Sequence, residues 1–307
     1  MKNPKQPQIA PTKETLMEWS QTAQVLALES LLLSSGWRPG EVAFHGGTSL
    51  HLSWNSPRHS EDLDFLLSRE VRDLDRVMDA VERRVGEHFL AIHPDFKVEV
   101  VDKTRNADRM PEYALRVSRK GYLGKALVKM EFWKVAPEFL RDYPIALRSP
   151  MLPGEVASTV SSPVPAADLT AAFADKLTAF ATRRALKWRD IYDLWWIGTQ
   201  TRSGVTAETA VEPFLKILTA YNLPEGLDAP QALLRFADIP RSDLVEAANA
   251  DLRTWLRPEL WSVYERTGAV ADMVDYVQST LRTVASEVRQ SAGSATPSQK
   301  SGVRRGP

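Results

Sequence analysis

Cysteine does not occur anywhere in the 307 residues, which removes disulfide bonds and thiolate metal sites from consideration and suits a reducing cytosol. Long apolar runs are missing too. No stretch approaches the roughly 18–20 uncharged residues that cross a bilayer, and the opening MKNPKQPQIAPTKE lacks the apolar core of a signal peptide. A soluble, cytoplasmic protein without a membrane partner is expected. Charge of one sign is also lacking: 39 basic side chains balance 39 acidic ones, so no global field gathers a polyanion and any anionic partner must be held by local basic patches. What is present is an ordinary globular composition, 43% hydrophobic, able to bury a real core. At about 100–200 residues per domain, the length fits two domains or one elaborated domain.

Along the chain, TKETLMEWSQTAQVLALESLLLSSGW spaces Leu16, Trp19, Ala23, Leu26, Ala27 and Leu31 as one helical face, with Thr12 as cap and Gly36 as stop. EVAF predicts a short strand, HGG a turn, TSLHLSW a helix start and DLDFLL a second strand. Val71, Leu74, Val77, Val81 and Val85 share one face of a surface helix. FKVEVV, EYALRVSR and GKALVKMEFW predict three more strands, the last two joined as a hairpin through 120–124. The first half is therefore mixed α and β. The stretch 141–165 is rich in Pro and Ser and reads as a connection. Beyond it helices follow over DLTAAFADKLTAFATRRALKWRDIYDLWWIG, 207–221, 230–237, 242–256 and 270–288, and the tail SAGSATPSQKSGVRRGP has the composition of a disordered segment. This gives an α+β protein: a sheet domain over 1–150, a helical domain over 151–290 and a tail over 291–307.

The chemistry concentrates in HGGTSLHLSWNSPRHSEDLDF. Residues two apart on a strand face the same side, so Asp62 and Asp64 point together while Leu63 and Phe65 enter the core. Two like charges so close repel, and a divalent cation between them relieves the repulsion; hard cations such as Mg²⁺ take oxygen ligands from one or two carboxylates plus phosphate and water. The Gly46-Gly47 turn before Thr48 and Ser49 suits a phosphate, since glycine lets the backbone approach while amides and hydroxyls donate to anionic oxygen. In LVKMEFW, alternation puts Lys129, Glu131 and Trp133 on one face. Glu131 is a third carboxylate, placed to complete a metal site or to take a proton from an attacking hydroxyl.

These residues, GGTSL, RHSEDLDF and VKMEF, resemble the nucleotidyltransferase-fold toxins of the AbiEii/AbiGii family, and DKLTAFATRRALKWRDIYDLWW resembles that family's later helical motifs. The resemblance spans the first helix to about Trp196. It implies a nucleotidyltransferase-fold mixed sheet with flanking helices, completed by a C-terminal helical domain. It implies that Gly46, Gly47 and Thr48 cradle phosphate, that Asp62 and Asp64 bind Mg²⁺ with Glu131 as the third acid, and that Lys176 contacts the triphosphate with Asp190 beside it. Arg58 and Ser60 fall where the family has an Arg and a Ser before the first aspartate, and the resemblance implies that both help bind the nucleotide; Ser49 stands where it often has alanine. The implied activity is transfer of a nucleoside monophosphate from an NTP to a hydroxyl, on the tRNA 3′ end or on a protein, with growth arrest and a cognate antitoxin encoded nearby. A nucleotide-binding regulatory module without chemistry is the rival from another class.

Each residue has a plainer reading. An Asp-Leu-Asp alone is commonly a solvated strand edge, and the glycine turn is what distinguishes this one. Glu131 could pair with Lys129 or Lys134, Lys176 could be an exposed helix residue beside Asp175, and Asp193 could cap or pair with Arg189. Trp188, Trp195 and Trp196 read as packing aromatics, and His45 and His51, without partners at zinc spacing, as structural. Two basic runs, Arg116, Arg119, Lys120, Lys125 and Lys129, then Arg183, Arg184, Lys187 and Arg189, flank the proposed site and suit RNA phosphates. Lys300, Arg304 and Arg305 in the tail carry less weight.

Overall fold

The computed structural model describes residues 8–38, 40–151, 162–200 and 204–294. Helix α1 (Lys13–Ser35) begins where the Thr12 side chain accepts a bond from the Thr15 N–H and ends where Gly36 turns left-handed at φ 64°, as its capping residues predict. Strand β1 (Val42–His45), helix α2 (Gly46–Trp54), strand β2 (Leu63–Ser68) and helix α3 (Leu74–Ile92) follow, then β3 (Phe96–Asp102), β4 (Glu112–Arg119), β5 (Ala126–Val135), the short α4 (Pro137–Arg141), β6 (Ile145–Arg148) and β7 (Val164–Ala167). The seven strands lie in the order β3-β4-β5-β2-β1-β7-β6.

Register within this sheet fixes the site. Strand β2 runs antiparallel to β1, setting His45 opposite Asp64, and parallel to β5, setting Asp64 opposite Glu131. Strand β4 in turn sets Glu112 opposite Glu131. The alternation expected of β5 holds: Val128, Met130 and Phe132 are buried, whereas Lys129, Glu131 and Trp133 lie half-buried on the other face. Phe65 and Phe132 stack at 5.2 Å with their planes 10° apart, and Trp19 of α1 meets Phe96 edge-on. Leu74, Val77, Val81 and Val85 of α3 join the same core, so this part of the stripe read from the sequence is the packed face; Val71, read into the same helix, precedes it.

The stretch 141–165 is more than a connection. It contains β6 and β7, which pair with each other, and β7 joins β1 in parallel at Phe44 and Ala166. Each strand is four residues long and one carries Pro165, so neither offers the alternation that betrays a longer strand. Met151 lies at the edge of this region; 152–161 are outside the described residues.

The remaining elements are α5 (Leu169–Thr182), α6 (Trp188–Gly198), α7 (Val211–Leu218), α8 (Ala229–Ala237), α9 (Arg241–Leu252), α10 (Pro258–Thr267) and α11 (Ala269–Ser294). Helix α10 has only Trp261 buried, so its sequence shows no apolar period. Helices α7 and α9 are shorter than the apolar pattern suggested. In α11, Met273, Val274, Val277, Leu281 and Val284 are buried, and it packs on α6, α8 and α9. The helix extends to Ser294, into the segment read as tail; the rest of that tail, with Lys300, Arg304 and Arg305, is outside the described residues.

Two compact units result, one of Met1–Ala172 with Arg253–Trp261 and one of Phe173–Leu252 with Ser262–Pro307. The sheet unit therefore runs past residue 150, because β6 and β7 belong to its sheet, and it recovers a short segment from the C-terminal half. No helix among the described residues is long and apolar enough to cross a membrane.

Candidate active site

Helix α2 starts at Gly46 directly after β1, so the two glycines are its first residues and no separate turn intervenes. The free N–H groups of that first turn give the corner the character of an anion site. Gly46 has φ 78°, and a Cβ there would lie 2.5 Å from Asp64 Oδ2. A Cβ on Gly47 would run into Arg58 Nη2 and lie 2.9 Å from Ser60 Oγ. Both glycines are thus required by what packs against them, a carboxylate on one side and a guanidinium on the other.

Thr48 is fully buried, and its hydroxyl donates to the Asp62 carbonyl. The hydroxyl ties the corner to the chain entering β2. Ser49 likewise donates to the Phe44 carbonyl at 3.0 Å. Arg58, expected to face a nucleotide, is 1% exposed and donates to the His59 carbonyl at 2.8 Å; it braces the corner from behind. Gln24 of α1 holds the Ser60 carbonyl at 2.8 Å.

Asp64 sits half-buried on β2, and Asp62 half-buried just before the strand begins. Glu131 neighbours Asp64 in the sheet, but its Oε1 accepts from Lys129 Nζ at 2.7 Å, and Glu112 lies 3.7 Å from the same ammonium. Burial alone would lower the Lys129 pKa; the hydrogen bond to Glu131 and the fields of Glu131, Glu112 and Asp62 outweigh it and raise the value, keeping the amine charged. Among the described residues no three His, Asp or Glu side chains gather closely enough to hold a metal ion. The three-carboxylate set Asp62, Asp64 and Glu131 is therefore not a ready cage. The donor set fits a hard cation that brings phosphate and water as ligands alongside one or two carboxylates. Sequence reasoning did not find Glu112, because register between β4 and β5 is invisible to it.

In the helical unit, Lys176 is buried and donates to Asp190 Oδ1 at 2.9 Å and to Asp193 Oδ2 at 2.7 Å. Asp190 also receives Arg183. The i, i+3 spacing on α6 turns both aspartates to one side, where α5 supplies the lysine. Asp193 is fully buried and is a working partner of Lys176, a stronger role than the sequence suggested. Several members of the two basic runs serve internal contacts: Arg119 stacks on Phe96 and Tyr122, Lys129 holds Glu131, and Arg183 holds Asp190.

His51 is buried with Nδ1 2.7 Å from the Ser56 carbonyl, and its ring meets that of His59 edge-on at 5.9 Å. Burial, then the charges of neighbouring groups, lowers both pKa values, that of His59 to about 3. Both imidazoles are neutral at physiological pH.

A mixed sheet with a glycine corner at a helix start, and acidic residues on the adjoining strands, defines a nucleotidyltransferase fold. Residues 29–263 match the family model described as nucleotidyl transferase AbiEii toxin, type IV toxin-antitoxin system, and the chain belongs to that family of nucleotidyltransferases. Its fold is similar to MenT4, a nucleotidyltransferase toxin from Mycobacterium tuberculosis, with TM-score 0.55 and 18% identity over 92% of this chain and 96% of that one. It is also similar to JHP933 from Helicobacter pylori, with TM-score 0.52 and 15% identity over 92% and 97% of the respective chains. Comparison by sequence with curated proteins finds no match. Membership of a type IV toxin-antitoxin family implies a cognate antitoxin.

Proposed function

We propose that this toxin transfers a nucleoside monophosphate from an NTP to an acceptor hydroxyl, that it does so with Mg²⁺, and that the acceptor is the 3′ end of tRNA. The observation that carries the reading is the contact of Gly46 with Asp64: only an unsubstituted backbone lets an anion-binding helix start lie against a carboxylate that has a second one two residues away. An anionic phosphate and a carboxylate at such a distance repel unless a cation joins them.

Asp62 and Asp64 would hold Mg²⁺, which when bound neutralises charge on the triphosphate. The first-turn N–H groups of α2 would hold the phosphates. Their orientation is set in advance by the Thr48 bond to Asp62 and by buried Arg58, so little reorganisation accompanies the reaction. The acceptor oxygen attacks the α-phosphorus, the bond to pyrophosphate breaks, and the acceptor proton passes to a carboxylate. Glu131, next to Asp64 on the sheet, would take that proton. Within the helical unit, Lys176 is a buried cation fixed by Asp190 and Asp193. In the sheet unit, the exposed side chains of Lys120 and Lys125 supply positive charge suited to RNA phosphates.

The test is incubation with each labelled NTP and Mg²⁺ in the presence of total tRNA and total protein. Label in the tRNA 3′ end supports the proposal. Label in protein instead would make the enzyme a protein nucleotidylating one, and NTP binding with no transfer to either would make it a regulatory module.

A further inference from the structure

The sheet unit contains a cavity of about 430 Å³, within the range of roughly 300–1,000 Å³ that small-molecule sites occupy. Its wall includes Lys13 and Met17 of α1, His59 and Asp62 from the approach to β2, Lys125 just before β5, and Trp255. Trp255 belongs to the segment Arg253–Trp261, which returns from the helical half to join the sheet unit. Two bonds seat it there. The His59 N–H donates to the Trp255 carbonyl at 2.8 Å, and Lys13 Nζ donates to the Thr254 carbonyl at 3.2 Å.

The lining selects a chemical class. Trp255 and Met17 offer an aromatic and a polarisable apolar surface to a flat ring. Lys13 and Lys125 offer positive charge, while Asp62 and the neighbouring Glu61 would repel a bare inorganic anion. A purely apolar ligand would strip water from charged groups at the wall and return no polar contact to them. His59, neutral at physiological pH, adds a hydrogen-bonding group without charge. A flat heterocycle carrying a sugar and one phosphate uses every part: ring on Trp255, phosphate toward the lysines, sugar hydroxyl toward Asp62.

We infer that this cavity is a nucleoside monophosphate subsite sharing Asp62 with the transfer site. In its relation to chemistry the inference rests on the function proposed above, since the occupant is the base end of the incoming nucleotide or the terminal nucleoside of the acceptor. Binding itself does not depend on that reading.

The experiment is calorimetric titration of the full-length protein with AMP, GMP, CMP and UMP in EDTA, where no transfer can occur. At least one nucleotide should bind the wild type, and Trp255→Ala and Lys125→Gln should each weaken it about tenfold. Equal affinity in the folded variants, or no binding by the wild type, overturns the inference. Lys125 is exposed, so its variant remains informative should Trp255→Ala fail to fold. In a transfer assay, a raised KM for the NTP assigns the cavity to the incoming nucleotide, and a raised KM for the acceptor assigns it to the acceptor; two unchanged KM values would again overturn the inference. Variant-sensitive binding by a protein that transfers nothing would leave the subsite standing and remove the proposed function.

Discussion

Gly46 and Asp64 are so close that one added carbon on the glycine would lie 2.5 Å from the carboxylate oxygen. The relationship joins a backbone feature, the left-handed φ of 78°, to a side chain on the neighbouring strand. Gly46→Ala combines a backbone strain of about 1–2 kcal/mol with displacement of Asp64. The expected outcome is a folded protein, slightly less stable by urea denaturation, whose transfer activity falls far more than its stability. Full activity in the alanine variant would show that the Asp64 position is unimportant.

The Lys176 network predicts a large effect on stability. Lys176→Met leaves Asp193 and Asp190 buried without their shared ammonium, and breaking such a pair costs about 3–5 kcal/mol. Arg83→Ala removes the surface pair of Arg83 with Glu87, both well exposed, and should change stability by less than about 0.5 kcal/mol. Urea midpoints for the two variants measured side by side decide the point; similar shifts would mean that the buried network contributes nothing special.

Much of this was legible in the sequence where local rules dominate. The caps of α1, the valine stripe of α3 and the alternation of β5 follow from periods that each element carries in itself, and the glycine corner with Asp62 and Asp64 follows from spacing on one short segment. What the sequence withheld depends on partners far apart in the chain. Glu112 reaches Glu131 only through strand register, and Trp255 reaches the wall beside Asp62 only because the chain doubles back. β6 and β7 are strands because β1 offers an edge, which four-residue segments cannot reveal on their own. Arg58 was assigned to the nucleotide through the family resemblance alone; arginine is seldom buried, and here the absent side chain of Gly47 makes room for it.

Acidification supplies a third prediction. In the unfolded chain a histidine binds its proton near pH 6.5, whereas folded His59 does so near pH 3. Between these values the unfolded state holds the extra proton, so stability is complete above about pH 6.5 and is lost as pH falls toward 3. From pH 6.5 to 5.0 the wild type should lose about 1–2 kcal/mol more than His59→Asn, measured by denaturation at each pH. Parallel pH profiles for the two proteins would show that His59 titrates normally.

Lys129 places a positive charge among Glu131, Glu112 and Asp62, and a cation entering that neighbourhood meets its repulsion. Lys129→Gln should therefore lower the Mg²⁺ concentration for half-maximal transfer by about two- to fivefold, a modest figure because the pair is partly solvated. A Mg²⁺ titration of each protein gives the answer, and a higher requirement in the variant would reverse the assigned sign.

The most direct measurement is Mg²⁺-dependent incorporation of labelled nucleotide by the wild type and by Asp64→Asn, with the fold of each checked by circular dichroism. The account predicts incorporation by the wild type that EDTA abolishes, and a rate about a hundredfold lower or worse in the variant. Equal incorporation by the two proteins, or incorporation unaffected by EDTA, would contradict it.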